Sequence, residues 1–338
     1  MTTISSSILG ISPVTENALK SINKFSLKNQ KNLMIICSRN QIECSSLGGG
    51  YFMNLDTETF MKKIKILKNN NPYLYVCRDH SGPYTSDKTS ENFFNELENT
   101  KTSLFADIQN SFDLIHIDTS YCGKKKLEIL KELYDYCVQN SLKDKKIHFE
   151  FGTTDHGEKF NKKNFLETFN IVKDLKNGIF LTGSTGSLIK GIKQTGQFNI
   201  DDCKHMLEII NESNFKIKDH NCDYLNPEDI KLRKISGIDA FNIGPELAMA
   251  ESQKVIESAN EINLFQLTQE FIKQVIESKK WEKWCDKIDT ENVKFLSSSH
   301  YLFSSDIYKE IYSKVSEEFD IESLIIKKHF EILNNFYI

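Results

Sequence analysis

The chain has no long hydrophobic run, little proline, no paired cysteine motif and no excess of positive charge. Its longest uninterrupted apolar stretches, such as Leu33–Cys37, extend over only a few residues, whereas a bilayer span needs about 20. No segment is expected to cross a membrane. The opening MTTISSSILGIS lacks the basic stretch and sustained apolar core of a secretory signal, so export is not expected. Cys37, Cys44, Cys77, Cys122, Cys137, Cys203, Cys222 and Cys285 form no CxxC pair and no ligand-like spacing. They read as reduced thiols of a cytoplasmic protein. With 43 Lys+Arg against 47 Asp+Glu, no global positive field exists to hold a phosphodiester backbone, and nucleic acid is excluded as a dedicated partner. Small molecules or proteins remain.

What is present is a repeated alternation. The 338 residues suffice for one large α/β domain, or a barrel with an appendage, that buries roughly three quarters of its unfolded surface. Short apolar runs recur about every 25 to 40 residues: Ser7–Ile11, Asn32–Cys37, Tyr73–Cys77, Leu114–Ile117, Ile147–Phe151, Ile179–Leu181, Phe215–Ile217 and Ala240–Ile243. Between them, LDTETFMKKIKILKN, GKKKLEILKELYDYCVQN, KKNFLETFNIVKDLKN and IDDCKHMLEIINES space apolar residues at helical intervals. Asp56, Asp201 and Asn226 are candidate helix caps, Asn226 with Pro227 behind it.

Strand then helix, repeated about eight times, is the pattern of a (β/α)₈ barrel. A doubly wound sheet is the alternative, but no glycine-rich dinucleotide fingerprint follows any strand. Beyond about Glu257 the pattern becomes helices alone. The expected division is a barrel over residues 1–256 and a C-terminal helical extension over residues 257–338, packed on the barrel.

In such a barrel the chemistry gathers at the C-terminal ends of the strands. Those ends are polar here: Ser38–Gln41, Arg78–His80, Asp118–Ser120, Glu150–Glu158, Thr182–Gly186, Asp219–Asn221 and Asn242–Glu246. Three carry histidine, each directly after aspartate: Asp79–His80, Asp155–His156 and Asp219–His220. One histidine after a strand is more often a solvated loop residue. Three converging on one mouth could hold a divalent cation with positions open to substrate oxygens. His116, inside a strand, and His148, His205, His300 and His329 read as structural. The TGSTG segment could cradle a phosphate or sugar hydroxyls on its amides, but no GK[ST] follows and a plain turn serves as well. The GGGYF run is similarly ambiguous.

Taken in order, SRNQ, GGGYF, RDHSGP, IHIDTS, FGT, DHNCDY and FNIGPELA resemble the family of the so-called non-catalytic subunit of class II tagatose-bisphosphate aldolases, which includes relatives that epimerise ketoses or keto-uronates. The likeness runs from roughly Ile11 to Gln253, with weaker similarity around WEKWCDKI. It implies a TIM barrel related to the class II aldolases, α/β in class. It also implies a divalent metal, zinc before manganese or cobalt, that polarises a ketose carbonyl. Carried onto this chain, the resemblance makes Asp79 the acid/base residue and His80, His156 and His220 the metal ligands. Asp155 and Asp219 are the further acid/base candidates. The family carries an acidic residue directly after its Gly-Thr pair, where this chain has Thr154, Asp155 and His156, so either Asp155 or His156 faces the metal. Asn242, with Asn40, Gln41, Asp118, Ser120, Glu150, Gly183 and Ser184 at the other strand ends, is the expected substrate-binding set.

The expected reaction is cleavage and re-formation of the C3–C4 bond of a ketose, ketose phosphate or keto-uronate in carbohydrate metabolism. If the aldehyde fragment turns over and re-adds the enzyme is a 4-epimerase; if it leaves, a lyase of aldolase type. The competing expectations are a non-catalytic subunit that stabilises a separate catalytic aldolase, and a sugar-binding barrel without turnover. A catalytic aldolase subunit or a second copy of the chain is the expected protein partner.

Overall fold

The computed structural model describes residue 4 and residues 8–84, 90–154 and 158–337. Ten strands occur among them: β1 (Ile8–Ile11), β2 (Leu33–Cys37), β3 (Leu74–Arg78), β4 (Leu114–Asp118), β5 (His148–Gly152), β6 (Gly178–Gly183), β7 (Ile189–Lys190), β8 (Lys193–Gln194), β9 (Lys216–Asp219) and β10 (Ile238–Ile243). Eight of these close into a parallel barrel in the order β1-β10-β9-β6-β5-β4-β3-β2, while β7 and β8 make an antiparallel hairpin in the loop after β6. This is the TIM barrel expected from the repeat, with its helical C-terminal extension. Every one of the eight apolar runs is a barrel strand. The two-residue strands of the hairpin are too short to leave a period.

The helices are α1 (Glu16–Asn29), α2 (Thr57–Asn70), α3 (Ser90–Asn110), α4 (Lys126–Gln139), α5 (Lys162–Val172), α6 (Ile200–Ile210), α7 (Pro227–Ile235), α8 (Glu246–Glu261), α9 (Phe265–Glu277), α10 (Glu291–Ser298), α11 (Asp306–Glu318) and α12 (Ile321–Asn335). Asp56 caps α2 by accepting from the Thr59 amide, and Asn226 caps α7 ahead of Pro227. Asp201 is not a cap. Asn199, two residues earlier, accepts from the amides of Asp201 and Asp202, which leaves Asp201 in the first turn of α6 where its charge suits the helix dipole.

The strands are buried on both faces, as parallel strands wrapped by helices must be. Outward side chains such as Ile35, Val76, Ile115, Ile117, Phe149 and Phe151 meet the surrounding helices in the main core. Inward ones form a smaller core that fills the lower barrel, with Ile8, Met34, Ile36, Tyr75, Cys77, Leu114, Phe180 and Ala240. On the strands that build this plug, the polar residues begin where it ends.

The extension has its own core, in which Phe271, Val275, Phe295, Tyr308, Ile311 and Ile325 pack against Val255 and Ala259 of α8. Helix α8 runs unbroken through residues 256 and 257, so barrel and extension share it. Two buried polar links fasten the pieces together. The Glu251 carboxylate accepts from Thr15 at 2.6 Å, Asn17 at 2.9 Å and Tyr308 at 3.1 Å. His329 joins the Ser21 hydroxyl at 2.9 Å to the Leu247 carbonyl at 2.8 Å. Among the described residues, no helix is long and apolar enough to cross a membrane.

Candidate metal centre and barrel mouth

Alternation along the strands builds the site. In β4, Ile115 and Ile117 point outward, so His116 and Asp118 point into the barrel; in β9 and the residue after it, Lys218 and His220 point inward in the same way. β3 is held from behind by its outward residue: Arg78 makes a fork to Asp107 of α3, 2.8 Å from Nε and 2.6 Å from Nη2, with neither side chain exposed to solvent. The chain then turns at His80, whose φ of 49° is left-handed. Such a conformation costs a non-glycine residue about 1–2 kcal/mol, and here it swings the imidazole back over the barrel axis.

Asp79, His80, His116 and His220 each offer a ligand atom within 4.8 Å of the others. His80 Nε2 lies 3.3 Å from His220 Nδ1 and 3.5 Å from Asp79 Oδ2, and His116 Nδ1 lies 3.4 Å from Asp79 Oδ1. Ligand atoms about 2.0–2.1 Å from a tetrahedral ion are separated by about 3.3–3.4 Å, so this spacing fits a zinc-like cation.

The opposite nitrogen of each ring is fixed by a different partner. His80 Nδ1 meets Asp118 at 2.6 Å, His220 Nε2 meets Glu150 at 2.6 Å, and His116 Nε2 meets the Thr182 hydroxyl at 3.2 Å. Imidazoles that bind metal are oriented in this way, with one nitrogen held by a carboxylate or other polar group and the second turned toward the ion; here His116 Nδ1 also accepts from the His80 amide at 3.3 Å. Space for the rings comes from glycine. A Cβ on Gly152 would lie 2.6 Å from His116 Nε2, and one on Gly10 would lie 2.1 Å from Asn242 Oδ1.

The charges agree with the spacing. Lys218, wholly buried beneath the cluster, pairs with Glu150 at 2.6 Å. With the imidazoles neutral, as ligation of a metal requires, Asp79, Asp118 and Glu150 against the one Lys218 leave two negative charges in excess, the complement of a divalent ion; with no ion bound, a proton on His80 offsets one of them. Burial alone would raise all three carboxyls, yet each is held below its ordinary range. The nearby imidazoles do this for Asp79, His80 does it chiefly for Asp118, and Lys218 does it chiefly for Glu150. Against its own burial, His80 is raised to about 9 by Asp79 and Asp118. Burial lowers His220.

Not every expected residue joins this group. Asp79, His80, Asp118, Glu150, His220 and Asn242 do; the Asn242 amide lies 3.3 Å from Asp79 and 3.4 Å from His220. Asp155 and His156 lie outside the described residues. Asp219 turns the other way, because it alternates with Lys218 and His220. Its carboxylate accepts from Ser187 at 2.9 Å and from Arg233 of α7 at 3.2 Å, so it packs a helix onto the barrel instead of facing the mouth. Gly183 likewise faces outward, toward Ile217 and Met206. Asn40 is exposed, whereas Gln41 joins the ends of β1 and β2 by donating to Ser12 and accepting from the Ser38 amide. The Ser120 amide donates to Asp118 at 3.0 Å, and Ser184 is half-buried just past β6. His116, set aside in the sequence as a strand residue, is the third imidazole. The signal for it was the alternation in LIHID, which puts His116 on the same wall as Asp118.

No family model matches the chain, and no curated protein matches it. Solved structures do. A probable tagatose 6-phosphate kinase from Sinorhizobium meliloti 1021 superposes with a TM-score of 0.81 at 12% identity, over 98% of this chain and 99% of that one. The fructose-bisphosphate aldolase of Campylobacter jejuni gives 0.59 at 11% identity over 98% and 90%. The YdjI aldolase of Escherichia coli K12 gives 0.53 at 13% over 89% and 91%. At these identities the likeness establishes the fold, a barrel shared with aldolases. In the first two cases it covers 98% of this chain and so extends across the helical extension as well.

Proposed function

We propose that the chain is a metal-dependent enzyme of aldol type, acting on a ketose or a close derivative by opening and re-forming the bond between C3 and C4. The observation that carries this reading is the convergence of His80, His116 and His220 beside Asp79 at the mouth of the barrel. His80 Nε2, His116 Nδ1 and His220 Nδ1 would hold the cation. When bound, a divalent cation supplies a Lewis acid for the ketone oxygen of the substrate.

The remaining work belongs to the chain. Asp118, Thr182 and Glu150 keep the three rings in place. Asp79 accepts the C4 hydroxyl proton as the C3–C4 electron pair moves toward the ketone, and returns it when the bond re-forms. The Asn242 amide, 3.3 Å from Asp79, orients that carboxylate and offers a donor to substrate oxygens. Re-addition to the opposite face of the aldehyde gives epimerisation, and its departure gives cleavage. The aldolase names of solved structures with this fold support the class of chemistry.

The test is incubation of the purified chain alone with zinc, manganese or cobalt against ketoses, ketose phosphates and keto-uronates, followed by NMR. Metal-dependent appearance of a C4 epimer or of an aldehyde product is expected. No conversion of any ketose unless a separate aldolase chain is added would refute independent catalysis and assign the chain a supporting role in that enzyme.

A further inference from the structure

In (β/α)₈ barrels a substrate phosphate is frequently seated by the loops after the seventh and eighth strands, on free amides at a helix N-terminus. The seventh and eighth barrel strands of this chain are β9 and β10, and the helix that follows is α8. That seat is filled by the chain itself. Asp223, 1% exposed, accepts from the Gly244 amide at 2.9 and 3.0 Å through its two oxygens and from the Glu246 amide at 2.9 Å. Pro245, between them, has no N–H to offer. Glu246 opens α8 and accepts from the Tyr224 amide at 2.9 Å, so a second carboxyl stands beside the first. Burial, and after it the charge of Asp223, pushes Glu246 up to about 8. A phosphate dianion brought to the same place would meet the same burial and the same charge.

The TGSTG loop, the other candidate phosphate cradle, is packed tightly against the segment that follows it. A Cβ on Gly186 would lie 2.0 Å from the Gln197 carbonyl oxygen, and one on Gly196 would lie 1.8 Å from that of Gly186. The Leu188 amide is taken by the Gln194 side chain at 2.6 Å.

We propose that Asp223 is a specificity-determining residue that occupies the barrel's phosphate seat with an internal carboxylate, so that the end of the ketose meeting the β9 and β10 loops is uncharged and carries no phosphate. A bisphosphorylated ketose is therefore not a substrate. The closed seat rests on the Asp223 contacts; only the identity of the sugar rests on the function proposed above.

The test combines amide NMR of the zinc-loaded chain with a substrate comparison. Inorganic phosphate at tens of millimolar should leave the Gly244 and Glu246 amide signals of the wild type unmoved. In Asp223→Ala it should shift them with at least tenfold tighter binding. If that variant does not fold, the wild type decides alone: a free ketose should be bound at least tenfold more tightly than its 1,6-bisphosphate. Phosphate shifts at those amides in the wild type, no gain of phosphate binding in a folded Asp223→Ala, or preference for the bisphosphate would each overturn the proposal. Turnover of the bisphosphate would do so while leaving aldol chemistry standing. Exclusion of phosphate without turnover of any ketose would support the closed seat while removing the proposed reaction.

Discussion

Replacing His116 with phenylalanine separates ligation from packing. The ring is buried at 1% exposure inside β4, and phenylalanine puts a somewhat larger planar ring in its place, while Ile115 and Ile117 continue to hold the strand to the outer core. Thr182 loses its contact with the imidazole at 3.2 Å but retains its bond to Glu150 at 3.3 Å, so no buried hydroxyl is orphaned, and the one backbone donor that loses an acceptor is the His80 amide, 3.3 Å from His116 Nδ1. The fold should survive. What disappears is one ligand atom about 3.4 Å from Asp79 Oδ1. Structural zinc sites with four protein ligands bind with about 10–16 kcal/mol, about 3 kcal/mol per ligand, so losing one of the three histidines here should cost about 3 kcal/mol, or about 10²-fold in affinity. Titration calorimetry of zinc against the metal-stripped chain, with a competing chelator, should show that loss alongside an unchanged circular dichroism spectrum. Gly152→Ala should produce a similar loss from the neighbouring strand, since its Cβ would lie 2.6 Å from His116 Nε2 and 3.2 Å from Thr182 Oγ1. Unchanged zinc affinity in a natively folded His116→Phe chain would refute the role of this ring.

Other consequences follow from the same structure. Asp79→Asn should retain its metal yet lose turnover by about 10²-fold or more, the lower range for a positioned acid/base, as read by single-turnover kinetics on the metal-loaded variant. Asp107→Ala leaves Arg78 charged and buried without its partner, and urea denaturation should show a loss of about 3–5 kcal/mol. Burial holds His329 neutral in the folded chain, down to about 4, whereas the unfolded chain takes up a proton below about 6.5. Its contribution is therefore complete above that pH and is lost as pH falls toward 4. Denaturation measured at pH 7.5 and at pH 4.5 should differ by about 3 kcal/mol from this residue alone, and His329→Gln should remove that part of the slope.

The barrel could be read from the sequence because each parallel strand is a short run buried on both faces and bounded by polar residues, such as LMIIC in β2 and LYVCR in β3. The site was legible at Asp79, His80 and His220, which leave their strands in loops rich in polar residues. It was less legible inside the strands, where only a two-residue period separates the inner wall from the outer. That period puts His116 with Asp118, and Lys218 with His220, on the inside, and turns Asp219 toward Arg233. The Glu150–Lys218 pair, far apart in sequence, depends on closure of the barrel, which places β5 and β9 on either side of β6. The Asp223 contacts depend on two loop conformations, which no residue pattern specifies.

X-ray absorption at the zinc edge, on the chain loaded with one equivalent of zinc, tests the central claim most directly. The account predicts nitrogen and oxygen neighbours at about 2.0–2.1 Å with the multiple-scattering signature of three imidazoles, reduced to two in His116→Phe. A spectrum dominated by sulfur at about 2.3 Å, or one without imidazole scattering, would contradict it.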